Sequence, residues 1–181
     1  MSRLTAIDPA KATAKGKELL DKVKAKLGVA PNLMRTMANS PAVLEAYLNF
    51  SDALAGGFLN ARLREQIALA VAETNSCEYC LSAHAAIGKM VGLRDDEIIG
   101  SRESHSTDPK IDAALKFART IVTSRGEVTD NDLNRVRDAG YTEGEIAEII
   151  ANVVLNIFTN YINHTAQTEI DFPKVVFVRK S

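Results

Sequence analysis

Two cysteines and one histidine carry most of the chemical content of this 181-residue chain. Cys77 and Cys80 form a C-x-x-C pair, and His84 follows four residues after the second thiol. Separations of three, four and seven put all three side chains on one face of a helix, where they can meet. Asn75-Ser76 interrupt the preceding helical pattern and place Cys77 in or near a first helical turn. Unpaired backbone N–H groups and the helix macrodipole favour a thiolate at that position. His84, one turn beyond Cys80, favours the thiolate at Cys80 instead, so these residues leave the order of attack open. Two neighbouring thiols beside a base suit disulfide chemistry. One sulfur attacks an electrophile and the other closes the ring.

Other uses of the pair fit less well. A disulfide-stapled scaffold needs more cysteines and usually a secreted chain. Structural zinc usually takes four ligands, and Cys77, Cys80 and His84 supply three. A fourth would have to come from Glu65, Glu73, His105 or His164, none of which stands at a diagnostic spacing. An inert, packed pair of thiols is the remaining alternative.

The bulk composition narrows the partners. Hydrophobic residues make up 46% and charged residues 25%, and Lys+Arg 22 against Asp+Glu 23 leave a net charge of −1. No basic excess exists to hold a phosphate backbone, so no nucleic-acid partner is expected. The first twenty residues hold no apolar leader segment. The longest apolar run, Ile146 to Ile162, is interrupted by Glu148, Asn152, Asn156 and Asn160. The expectation is a soluble cytoplasmic protein without a membrane partner.

The elements that must position the thiols are helices. Leu19, Leu20, Val23 and Leu27 recur at helical spacing up to Gly28, and a short turn follows Pro31. Ser40-Pro41 start another helix, which Gly56-Gly57 end, and Asn60 caps the next. CEYC opens a further helix that runs to Gly92. The second half has a short helix from Asp95 to Ile99, a loop from Gly100 to Pro109, and helices over Ile111–Thr123 and Thr129–Ala139. A long last helix opens on the Thr142/Glu145 capping box and ends near His164. Gly92 to Ile98 echoes Gly140 to Ile146, each joining two helices through a glycine. Only the tail, Lys174 to Val178, alternates with period two, as an extended segment lying on a neighbouring subunit would.

Glu65, followed after eleven residues by C-x-x-C-x-x-x-H, resembles the signature of the AhpD-like alkylhydroperoxidase branch of the carboxymuconolactone decarboxylase family. Gly28-Val29-Ala30-Pro31-Asn32-Leu33 and Ser40-Pro41 resemble the peroxidase-related members, and the likeness runs from Gly28 to Pro173. It implies an all-α AhpD-like helical bundle in one domain over residues 1–181, with a core at 28–166 and an extended tail at 167–181. It also implies a homo-oligomer, trimer or hexamer, that reduces a small hydroperoxide without a bound cofactor or metal. In that scheme Cys80 attacks the peroxide. Cys77 resolves the product and meets an external dithiol or thioredoxin-like reductant, while Glu65 and His84 relay protons. Tyr79 departs from the best-known members, which have histidine before the second cysteine. A phenol titrating near ~10 cannot shuttle protons at neutral pH, though it can orient a substrate or donate a hydrogen bond. The alternatives are a thiol–disulfide oxidoreductase acting on a partner's disulfide, and a non-enzymatic Cys/His metal-binding module.

The last helix has a further pattern. Glu148, Asn152, Asn156, Asn160 and His164 recur every fourth residue, and each step overshoots a turn by ~40°. The series therefore winds round the helix. Only one or two members can border the thiols, and the rest are expected at helix crossings or subunit contacts.

Overall fold

The computed structural model describes residues 2–177. A short 3-10 helix, Pro9–Lys11, precedes nine α-helices. They are α1 (Ala14–Leu27), α2 (Asn32–Met37), α3 (Pro41–Ala55), α4 (Ala61–Thr74), α5 (Glu78–Met90), α6 (Asp95–Arg102), α7 (Pro109–Thr123), α8 (Asp130–Asp138) and α9 (Glu143–Ala166). No strand occurs among the described residues, so the protein is all-α.

Local signals set most of the boundaries. Thr13 caps α1 through its hydroxyl, and Gly28 ends it with φ +80°, where a glycine is unstrained. Asn60 accepts the Leu63 amide at the start of α4, and Thr142 with Glu145 closes a full capping box on α9. The two echoing connections are alike in the fold. Gly92 and Gly140 both take left-handed backbone; after the first, Glu97 accepts the Arg94 amide at 2.9 Å, and after the second, Thr142 and Glu145 make the full capping box. Ser40 differs from expectation: it stands at the N-cap of α3, but its hydroxyl makes no capping bond. The turn expected to be loop from Gly100 is helical as far as Arg102. The Ser101 hydroxyl bonds back to the Glu97 carbonyl there, and Arg102 pairs with Glu73 of α4 at 2.9 Å, so α6 is held by a contact across the core.

Helix α4 is the axis of the molecule and packs against α5, α6, α7 and α9. Every residue from Gln66 to Glu73 is buried, and Ala68, Ala70 and Ala72 keep its surface narrow enough for close neighbours. One cluster joins α1, α2 and α5 and includes Cys77, Tyr79 and Cys80; the other joins α4, α7, α8 and α9. The core reaches outside residues 28–166, since Leu19, Leu20 and Val23 of α1 are among its buried members. Helix α9 is long and apolar enough to cross a membrane by length and composition, yet Ile149, Val153 and its asparagines are packed inside the chain.

The tail crosses its own chain. Val175 donates to the Ser82 hydroxyl on α5, Lys174 pairs with Glu78, and Arg102 donates to the Val176 carbonyl. Through Phe177, the tail thus lies in part on its own chain, alongside the placement on a neighbouring subunit that its pattern suggests. Val178 lies outside the described residues.

Candidate active site

Asn75 and Ser76 are the whole connection between α4 and α5, and Ser76 makes the reversal in left-handed backbone, φ +55°. The turn delivers Cys77 as the N-cap of α5, where its sulfur accepts the Cys80 amide at 3.4 Å. One turn in, Cys80 faces the same way, and the two sulfurs lie 2.7 Å apart as free thiols. Both residues are 2% exposed. His84 follows on the same face, and its Nδ1 meets Oε2 of Glu65, from α4, at 2.8 Å. These two side chains keep 19% and 18% of their surface, so the ion pair sits at the edge of solvent. Cys77, Cys80 and His84 thus share one face as their spacing predicts, and α4 brings Glu65 to His84 as the resemblance implies.

The charges sort the two thiols. Burial pushes the Cys80 pKa up, but the Cys77 thiol donating to it, the His84 charge and the amides of Asn163 and Asn160 pull harder, bringing it down to about 7. Cys77 moves the other way. Its thiol proton is held by the Cys80 sulfur, and burial and the Cys80 charge add to that upward shift. The dipole preference for a thiolate at the N-cap loses to these contacts. Burial lowers the His84 pKa, and the Glu65 carboxylate more than offsets it, leaving the ring more basic than a free histidine.

Helix α9 completes the site with residues that spacing alone did not rank. Asn163 Nδ2 donates to Cys80 Sγ at 3.2 Å. Asn156 hydrogen-bonds His84, and Asn160 accepts from Asn75 at 2.9 Å. Glu148 lies away from the thiols and accepts the Phe58 and Leu59 amides in the α3–α4 loop, while His164 is exposed. Asn156 and Asn160 border the site, as one or two members of the series were expected to, and Asn163, outside that series and one residue before His164, adds a contact to the nucleophile. The steps 152, 156, 160 and 163 follow the ~3.6-residue turn more closely than steps of four, and that signal was available in the sequence.

Tyr79 also borders the open space beside the thiols, but its hydroxyl is engaged away from them. Its hydroxyl donates to Asp171 at 2.8 Å and accepts from the Leu33 amide at 3.1 Å, tying the tail to α2. Phe172 packs edge-on against its ring. Glu73 is bound by Arg102, and His105 is exposed beside Asp112. Among the described residues, no group of three or more His, Cys, Asp or Glu side chains is placed to hold a metal ion.

A cavity of about 480 Å³ opens beside the thiols. Cys80, His84, Asn156 and Thr159 line its inner part, Leu33, Tyr47, Leu48 and Phe172 its apolar walls, and Lys22, Lys26, Glu45 and Asp52 are at its charged border. It is large enough for a small organic molecule.

Comparison with known proteins gives consistent findings. The carboxymuconolactone decarboxylase family profile matches residues 41–120, a span that includes Glu65 and the whole thiol motif. A peroxidase-related protein from Ralstonia eutropha JMP134, described as an alkylhydroperoxidase AhpD core, superposes with a TM-score of 0.82 at 26% identity, over 94% of this chain and 92% of that one. The debrominase Bmp8, solved with 2,3,4-tribromopyrrole, shares the fold at TM-score 0.81 and 19% identity, again over 94% and 92% of the two chains. An uncharacterized Haemophilus influenzae protein is 54% identical over 46 residues, which is 25% of this chain and 41% of that relative.

Proposed function

We infer that this member of the carboxymuconolactone decarboxylase family, built on the AhpD-like fold, is a thiol-dependent peroxidase that reduces organic hydroperoxides at Cys80. The observation that carries the reading is the asymmetry of the thiol pair. Cys80 is brought down to about 7, while Cys77, 2.7 Å away, keeps its proton. A nucleophile that is partly ionised near neutral pH, next to a thiol that stays protonated, is what attack followed by resolution requires. Glu65 holds His84 in its charged form, so the imidazolium can protonate the departing alkoxide. The apolar walls of the cavity suit a hydrocarbon group on the peroxide. An external dithiol or thioredoxin-like reductant would reopen the Cys77–Cys80 disulfide.

The test is a free-thiol count before and after one equivalent of cumene hydroperoxide is added to reduced protein. Wild type should lose both thiols rapidly, and Cys77→Ser should accumulate a sulfenic acid on Cys80. Thiols that survive the peroxide but react with a small disulfide would replace this reading with thiol–disulfide exchange.

A further inference from the structure

Two buried polar atoms beside Cys80 make no hydrogen bond of ordinary geometry, although the Asn160 amide lies near enough to the Cys80 sulfur to favour its thiolate. Asn160 is 0% exposed and Asn163 5%, yet Nδ2 of Asn160 and Oδ1 of Asn163 are both unpaired. Unpaired buried amides are costly, and native proteins keep few of them without a use. Neither amide is free to turn. Asn75 donates to Oδ1 of Asn160, which leaves the Asn160 NH2 as the end available to the thiols. The Asn163 NH2 is spent on Cys80 Sγ, and its Oδ1, on the same carbon, stays close to that sulfur. One unused donor and one unused acceptor therefore flank the nucleophile.

Resting on the peroxidase reading above, we propose that Asn160 and Asn163 form the seat for the terminal oxygen of the peroxide, and so select an O–H-bearing hydroperoxide over a disulfide at Cys80. The thiolate attacks the terminal oxygen of R–O–O–H. The S–O bond forms, the O–O bond breaks, and the alkoxide takes its proton from His84 to leave as the alcohol. The sulfur is oxidised to a sulfenic acid as the peroxide is reduced. Throughout, the transferred hydroxyl accepts from Asn160 Nδ2 and donates to Asn163 Oδ1. The Cys77 thiol then displaces it: the S–S bond forms, the S–O bond breaks, and the hydroxyl leaves as water with the Cys77 proton. A disulfide electrophile offers no O–H donor and only weak acceptors, so both amide groups stay unpaired when it reacts. Sites built to hydrogen-bond a hydroxyl discriminate strongly against partners that lack one.

The experiment compares two second-order rates of thiol loss, with cumene hydroperoxide and with a small aromatic disulfide, in wild type, Asn160→Ala, Asn160→Ser and Asn163→Leu. Both reactions need the Cys80 thiolate, so a change in its pKa moves them together and cancels in their ratio. The hydroperoxide-to-disulfide ratio should fall about tenfold or more in Asn160→Ala and Asn163→Leu. Asn160→Ser, which keeps a small donor and guards against a variant that fails to fold, should fall less than Asn160→Ala. Rates that drop by equal factors, or an unchanged ratio, would overturn the seat and leave the peroxidase reading standing. A wild type inert to the hydroperoxide would remove that reading and the seat with it.

Discussion

The ionisation of Cys80 is decided by four neighbours, and each can be removed singly. His84 is the only one of them that brings a full positive charge. Alkylation of Cys80 should titrate with a midpoint near 7, and His84→Gln should raise that midpoint by about one unit. Hydroperoxide reduction should rise as Cys80 ionises and fall again once His84 loses its proton, at a pH above the ordinary histidine value. Stability follows the same groups with opposite signs. The raised His84 contributes fully below its unfolded pKa, near ~6.5, and loses this as pH climbs through its folded value. The depressed Cys80 contributes above its unfolded pKa and loses this as pH falls through about 7. Cys77, Cys80 and His84 were legible because residues three and four apart share a helix face, whereas Glu65, on α4, was legible only through the family resemblance. Asn163 falls on the ~3.6-residue steps of the α9 asparagines, which mark a shared face, but that spacing does not say that the face will meet Cys80, 83 residues away. Tyr79 was legible as a group able to donate a hydrogen bond. Its acceptor, Asp171, is 92 residues away and belongs to the tail rather than to a substrate.

Helix starts were readable at Asn60, Thr129 and Thr142, whose side chains cap as their types suggest, whereas Ser40 starts α3 without a capping bond, and the caps at Thr13 and Asp108 begin α1 and α7 earlier than their apolar spacing indicated. The end of α6 was not, because a buried ion pair to α4 decides it. Arg102 also donates to the tail at Val176, so one guanidinium joins α4, α6 and the chain's last described stretch. Arg102→Ala takes that cation away from a buried carboxylate and should cost about 3–5 kcal/mol in chemical denaturation. A loss below about 1 kcal/mol would show that the pair does not anchor these elements.

On the scale of the whole molecule, α9 is less completely buried than its apolar sequence suggests. Ile150, Val154, Phe158 and Tyr161 form an exposed stripe along it, and Val43 and Phe50 are exposed on α3. The stacked rings of Tyr47 and Phe158 join the two helices, and Tyr47 also lines the cavity. A second copy of the chain is the occupant proposed for this face, in keeping with the expected homo-oligomer. Phe158→Glu should therefore lower the sedimenting mass to that of one chain, and a wild type that already sediments as a monomer would sink the proposal. The all-helical bundle itself was plain from periodicity, whereas the route of the tail was not, since a short alternating segment does not say which surface it will cover. That route also has a consequence in time. Asp171 is 92 residues downstream of Tyr79, and Asn163 is 83 downstream of Cys80. At about 5–20 residues per second, a ribosome needs roughly 5–20 s to travel from the cysteines to the segment that covers them. Every newly made copy therefore passes through an interval in which its thiols exist without the residues that tune and shelter them.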